Sequence, residues 1–165
     1  MITPKRSTIS DYTESVLKAE IINKCPVCGK FEGTSDKFTN HHINHDPSIS
    51  AYWNLIRVCK KCHEDINKHK DDAKRDRKIK QIKTDLFRNY IGPASLEVLL
   101  LAYKHGITSS PPSLANSLIR FELVNISKAN IFSAGAHKHF TLSDYSITPK
   151  GKELVDKLSL SYLLL

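Results

Sequence analysis

The chain has 165 residues, of which 40% are hydrophobic and 25% charged, and a formal net charge of +8. That composition excludes a disordered chain and leaves room for one ordinary domain or two small ones. The longest apolar run, around Leu96 to Tyr103, is broken by Glu97 and falls short of the roughly 20 residues that cross a bilayer, so no membrane partner is expected and the basic charge favours nucleic acid.

The start, from Met1 to Ser7, has no apolar run behind its charges, so no secretory leader is expected. The expected location is the cytoplasm, where thiols stay reduced. Val16, Leu17 and Ile21 then recur at helical spacing and predict a short helix. The stretch from Ile21 to Tyr90 holds all four cysteines and five of the eight histidines. Within it, Asn54-Leu55-Ile56-Arg57-Val58 reads as a short strand. From Lys60 to Tyr90 there is no Pro or Gly. Ile79, Ile82, Leu86 and Tyr90 form a helical stripe, which Ile66 and Ala73 extend backward across one break. The opposite face is assigned Lys68, Lys70, Lys74, Arg75, Arg77, Lys78, Lys80 and Lys83, interleaved with Asp71, Asp72, Asp76 and Asp85. Such a face either contacts phosphates or is simply solvated.

Gly92-Pro93 interrupts the chain, and no cysteine follows it. Leu96, Leu99, Leu100 and Tyr103 predict a helix that ends at Gly106. Pro111-Pro112 opens another, with Leu114, Leu118 and Phe121 inward. Two strand-like runs follow, Leu123 to Phe132 and His139 to Thr148, joined by a loop around Gly135. Thr148-Pro149-Lys150-Gly151 then caps a last helix carrying Leu154 and Leu158. The expected class is α+β with two domains, 1–91 and 92–165.

Cys25-Pro26-Val27-Cys28 and Cys59-Lys60-Lys61-Cys62 are two CxxC pairs. Two-residue spacing lets both sulfurs of a pair face one ion, and two pairs complete the four-sulfur tetrahedron that structural zinc prefers. Gly29 suits the tight turn behind the first pair. The competing reading is a redox CxxC or buried free thiols. Four thiolates leave no open position, so this zinc would brace the fold and perform no chemistry.

His41-His42-Ile43 lies between the pairs, and Cys62-His63-Glu64-Asp65-Ile66-Asn67 follows the second. On a helix starting near Lys60, His63 and Asn67 share a face at i and i+4. Two such side chains with a third from a strand can hold a cation and leave positions open for water and phosphate. Taken singly each has a plain structural reading: His63 bonding the knuckle, Asn67 on an exposed helix, Asn54 starting a strand. His45 and His69 are assigned no role.

Taken together, the segment from Cys25 to about His69 resembles the HNH, or ββα-metal, endonucleases, in the variant whose CxxC pairs flank the HNH core. The resemblance rests on His41-His42-Ile43, on Asn54-Leu55-Ile56-Arg57-Val58-Cys59-Lys60-Lys61-Cys62-His63, and on the pairs. The Asn54-to-His63 spacing is similar to that in the nuclease domains of DNase colicins. The resemblance implies a ββα-metal unit, which stands ahead of the long basic helix read from the apolar stripe. It implies His42 as general base, Asn54 as the residue that holds the His42 loop, and His41, His63 and Asn67 as ligands of a catalytic ion. Asn67 stands where some relatives have His, which points to Mg2+ or Mn2+ rather than a soft metal. Pro47 stands later than the usual proline, so the loop from Asn44 to Trp53 is expected to differ in shape. The implied activity is hydrolysis of DNA, double-stranded, to 5′-phosphate and 3′-hydroxyl ends. Arg57, Lys60, Lys61 and Lys68 are candidate phosphate contacts.

Residues 92–165 resemble a winged-helix domain, chiefly through Thr148-Pro149-Lys150-Gly151 and Phe121-Glu122-Leu123-Val124. This implies DNA contact by the helix after Pro112, with Arg120 the main polar reader and the Gly135 loop as wing. The competing role is dimerisation or scaffolding, and one arrangement is a homodimer with one site per strand. Two alternatives to an endonuclease remain: a non-catalytic zinc-containing DNA-binding module, and a zinc-ribbon interaction protein.

Overall fold

The computed structural model describes the backbone of residues 7–133 and 139–164. The fold is mixed α and β, and its two compact units divide between Tyr90 and Ile91. Among the described residues no helix is long and apolar enough to cross a membrane.

The first unit opens with α1 (Asp11–Ile21). Ser10 caps it, accepting a hydrogen bond from the Thr13 N–H at 3.2 Å, and Asp11 and Glu14 sit favourably in the first turn. It buries Val16, Leu17, Glu20 and Ile21. Two short strands, β1 (Thr39–His42) and β2 (Leu55–Val58), pair antiparallel, with His42 opposite Leu55 and His41 opposite Ile56. Thr-Asn-His-His has no strand signal of its own; it is a strand because the fully buried β2 offers it a ladder. Then come α2 (Lys60–Lys68) and α3 (Ala73–Ile91). The break between them is encoded by Asp72, whose Oδ1 accepts from the Lys74 and Arg75 N–H groups at 2.9 and 3.2 Å. The core gathers Ile21, Phe38, Ile56, Val58, Ile66 and Ile79 with Cys25, Cys59 and Cys62.

One assignment along α3 is corrected. The buried stripe runs Ile79, Lys83, Thr84, Phe87 and Ile91, while Tyr90 is exposed and Ile82 and Leu86 only partly covered. Lys83, read as part of the charged face, is completely buried. Residue type alone had set it there; a carboxylate from α1 holds it inside.

The second unit contains α4 (Pro93–His105), β3 (Ile107–Ser110), α5 (Pro112–Arg120), β4 (Val124–Ser133), β5 (His139–Ile147) and α6 (Pro149–Lys157). The sheet order is β3-β5-β4, all antiparallel. Pro93 and Pro112 each stand at a helix start, where the missing N–H is harmless. Thr148 caps α6 by accepting from the Gly151 N–H at 2.9 Å and donates to the Glu122 carbonyl at 2.7 Å. Gly151 is obligatory there, because a Cβ would lie 2.2 Å from the Leu123 carbonyl oxygen. Strand β3 was not anticipated; four residues between Gly106 and Pro111 are too few to show alternation. Gly135, the expected wing, lies outside the described residues.

Candidate functional site

The four cysteines converge. One sulfur from each of Cys25, Cys28, Cys59 and Cys62 lies within 4.8 Å of all the others. The first pair sits on a turn in which the Gly29 N–H donates to the Cys25 carbonyl at 2.8 Å, with Gly29 at φ +77°. The second pair spans the end of β2 and the first turn of α2, with Cys59 as the N-cap residue. The Cys59 N–H donates to the Cys25 sulfur at 3.5 Å. Cys28 Sγ and Cys59 Sγ are 3.7 Å apart, against about 3.8 Å for the edge of a tetrahedron whose metal–sulfur bonds are about 2.3 Å. A hydrogen bond from the Lys30 backbone draws the Cys28 thiol down to about 7, whereas burial pushes Cys59 and Cys62 up. Four sulfurs this close ionise together only around a cation. The cluster is positioned to bind a metal ion, and its donor set suits zinc.

A second constellation lies at the end of β1. His41, His42, His45, His63, Asn67, Pro47 and Lys70 line one pocket of about 360 Å³. His41 is at its centre: its ring meets the His45 ring edge-on at 5.1 Å and the His63 ring at 5.4 Å between centroids. Only 2% of His41 is exposed, and its Nε2 is buried with no hydrogen-bond partner among the described residues. Burial, then the neighbouring His45, His63 and His42, lower its pKa to about 4, so the ring is neutral at pH 7 and keeps a lone pair. A buried ring nitrogen without a partner is costly unless something satisfies it, and a cation does so. His63 follows Cys62 directly, so the cysteine-bearing turn fixes its direction; Asn67 is one helical turn on, with its Nδ2 3.4 Å from His63 Nδ1. Among the described residues, the four cysteines are the one group of three or more His, Cys, Asp or Glu side chains compact enough for a metal ion. A cation in the histidine pocket therefore needs Asn67 or another oxygen donor as well as His41 and His63.

Asn54 is fully buried and ties down the loop that follows His42. Its Oδ1 accepts from the Asn44 N–H at 3.0 Å and its Nδ2 donates to the Ile49 carbonyl at 2.8 Å. Its own carbonyl accepts from the Ile43 N–H at 2.7 Å. The His45 N–H turns back to the His42 carbonyl at 2.9 Å, with His45 at φ +59°, a left-handed conformation that non-glycine residues adopt only when held.

The predicted residues thus divide. His41, His42, His63 and Asn67 come together, with Asn54 behind them. Lys60, Lys61 and Lys68 are exposed on α2, and Arg120 is exposed at the end of α5. Arg57 is a correction: it is 7% exposed, its guanidinium held by Glu14 at 3.0 Å and Glu32 at 2.8 Å. A guanidinium held between two carboxylates has no free fork for phosphate; it joins β2 to α1 and to the knuckle. Three pocket residues were missed, Pro47 and two with polar side chains. His45 was set aside as ordinary, and nothing in its spacing marks it; only the tight turn after β1 swings its ring back over His41. Lys70 was counted on the helix face, but it belongs to the turn between α2 and α3 and reaches the pocket.

Compared with known proteins, the chain matches no protein family, no curated protein and no solved structure.

Proposed function

We propose that the chain is a metal-dependent DNA endonuclease of the HNH, ββα-metal type, with a structural zinc on Cys25, Cys28, Cys59 and Cys62. One observation carries the reading: His41, His42, His63 and Asn67 line a single pocket formed by β1, the loop after it and α2, while Asn54 clamps that loop from beneath. Two of the zinc ligands, Cys59 and Cys62, stand where β2 ends and α2 begins and hold the strand–helix corner on which His63 depends.

In this reading His42 takes a proton from water, whose oxygen attacks phosphorus as the bond to the 3′ oxygen breaks. The departing 3′ oxygen gains a proton, leaving a 3′-hydroxyl and a 5′-phosphate. His41, His63 and Asn67 would hold a divalent ion, Mg2+ or Mn2+, which would supply charge neutralisation at the scissile phosphate. Asn54 fixes the direction of His42 through the backbone around Asn44. Lys70 brings positive charge to the pocket itself, and the exposed Lys60, Lys61 and Lys68 on α2 add to the basic surface a DNA backbone needs. The second unit, with α5 preceding a long β4–β5 hairpin, supports a winged-helix-like part that contacts DNA or pairs two copies. Only α5 stands between β3 and β4, so a two-helix reading motif is not formed there.

The second reading is a zinc-containing DNA-binding module without catalysis. It is favoured by how deeply His41 and His42 are buried, at 2% and 8% exposure. Supercoiled plasmid and a mobility-shift assay with EDTA, Mg2+ and Mn2+ separate the two. Nicking or linearisation that appears only with added metal supports the nuclease. Shifted DNA that stays intact in every metal overturns it.

A further inference from the structure

Three polar side chains from distant parts of the first unit meet in its interior. Lys83 on α3 is wholly buried, and its Nζ lies 2.8 and 3.1 Å from the two carboxylate oxygens of Glu20 on α1. The Tyr52 hydroxyl donates to the same carboxylate, and the Lys83 ammonium sits over the Tyr52 ring, 3.4 Å from its centroid. Tyr52 is therefore held at two points, hydroxyl and ring face. It opens the 3-10 turn Tyr52–Asn54, whose last residue is the clamp on the His42 loop.

A buried ion pair is a poor device for stability alone, because apolar side chains of the same size usually serve as well or better. Burial pushes the Lys83 ammonium down to about 8 even beside Glu20, so desolvation outweighs the attraction. What the three groups supply and an apolar cluster does not is direction: a hydrogen bond and a cation over a ring each fix an angle as well as a distance.

We infer that Glu20, Tyr52 and Lys83 form a buried polar lock that positions the Asn54 turn and, through it, His42. The lock's effect on rate rests on the endonuclease reading; its effect on the turn does not. The three are positioning residues and touch no substrate.

The test is Glu20→Met/Tyr52→Phe/Lys83→Met in the full chain, which removes all three polar partners together and strands none of them. The expected result is a urea midpoint near wild type, unchanged DNA affinity, and nicking slowed by roughly 10- to 100-fold, the scale of a small misplacement at a catalytic group. The 15N side-chain amide signals of Asn54 should also move. Tyr52→Phe alone keeps the ring and removes one hydrogen bond, so it should shift the same signals by less if the triple variant does not fold. Wild-type rate with unmoved Asn54 signals in either folded variant overturns the lock. If the wild type itself never cuts DNA, the endonuclease reading fails while the Asn54 signals still decide the lock.

Discussion

Stripping the metal from the cysteine cluster should unfold the first unit and leave the second intact. Three of the four ligands are core residues: Cys25 and Cys59 are 1% exposed and Cys62 8%, packed with Ile21, Phe38, Ile56, Val58, Ile66 and Ile79. A structural zinc contributes about 10–16 kcal/mol of apparent binding free energy at neutral pH, whereas a whole domain is stable by only about 5–15 kcal/mol. Loss of the ion therefore removes as much as the rest of the unit can supply, and β1, β2 and α2 lose their shared anchor. The second unit has no cysteine. The assay is a two-dimensional 15N NMR spectrum before and after a zinc-selective chelator, with the released metal counted. One equivalent of zinc should leave, signals from residues 11–90 should collapse, and those from 93–133 and 139–164 should persist; added zinc should restore the first set. Dispersed β1, β2 and α2 signals in fully chelated protein would refute the reasoning.

Asn54→Ala removes two buried side-chain hydrogen bonds, each worth about 1 kcal/mol, and strands the Asn44 N–H, so the urea midpoint should fall by the equivalent of about 2–3 kcal/mol. Nicking should fall further than that loss of stability explains, as read by single-turnover rates well below the unfolding transition. Charge changes should separate by burial: Lys60→Ala, Lys61→Ala and Lys68→Ala should each lower the salt slope of DNA binding by about one. Arg57→Ala should destabilise the fold and leave that slope alone, because its partners are Glu14 and Glu32. Binding titrations across salt concentration check both statements.

The parts legible in the sequence are those encoded by short spacing. Each CxxC pair states its chemistry within four positions, and Thr148-Pro149-Lys150-Gly151 carries a helix cap whose hydroxyl and missing Cβ are both required. Proline and glycine marked where helices of the second unit begin and end. What was illegible depends on partners far along the chain. Lys83 looks like any surface lysine until Glu20, 63 positions away, meets it in the interior. Arg57 looks like a phosphate contact until Glu14 and Glu32 close on it. The α3 stripe was displaced for the same reason: reading by residue type skipped the one charged position that is buried. Spacing alone left His63, Asn67 and Asn54 with plain alternatives, and His45 could be found only by following the backbone around a left-handed turn.

The central claim is that His42 activates water for DNA hydrolysis, and His42→Ala tests it most directly. Single-turnover nicking of supercoiled plasmid with Mn2+ should fall by at least about 100-fold, the scale expected when a general base is removed, while the mobility shift and the zinc content stay at wild-type values. Cutting by His42→Ala at close to the wild-type rate would contradict the account.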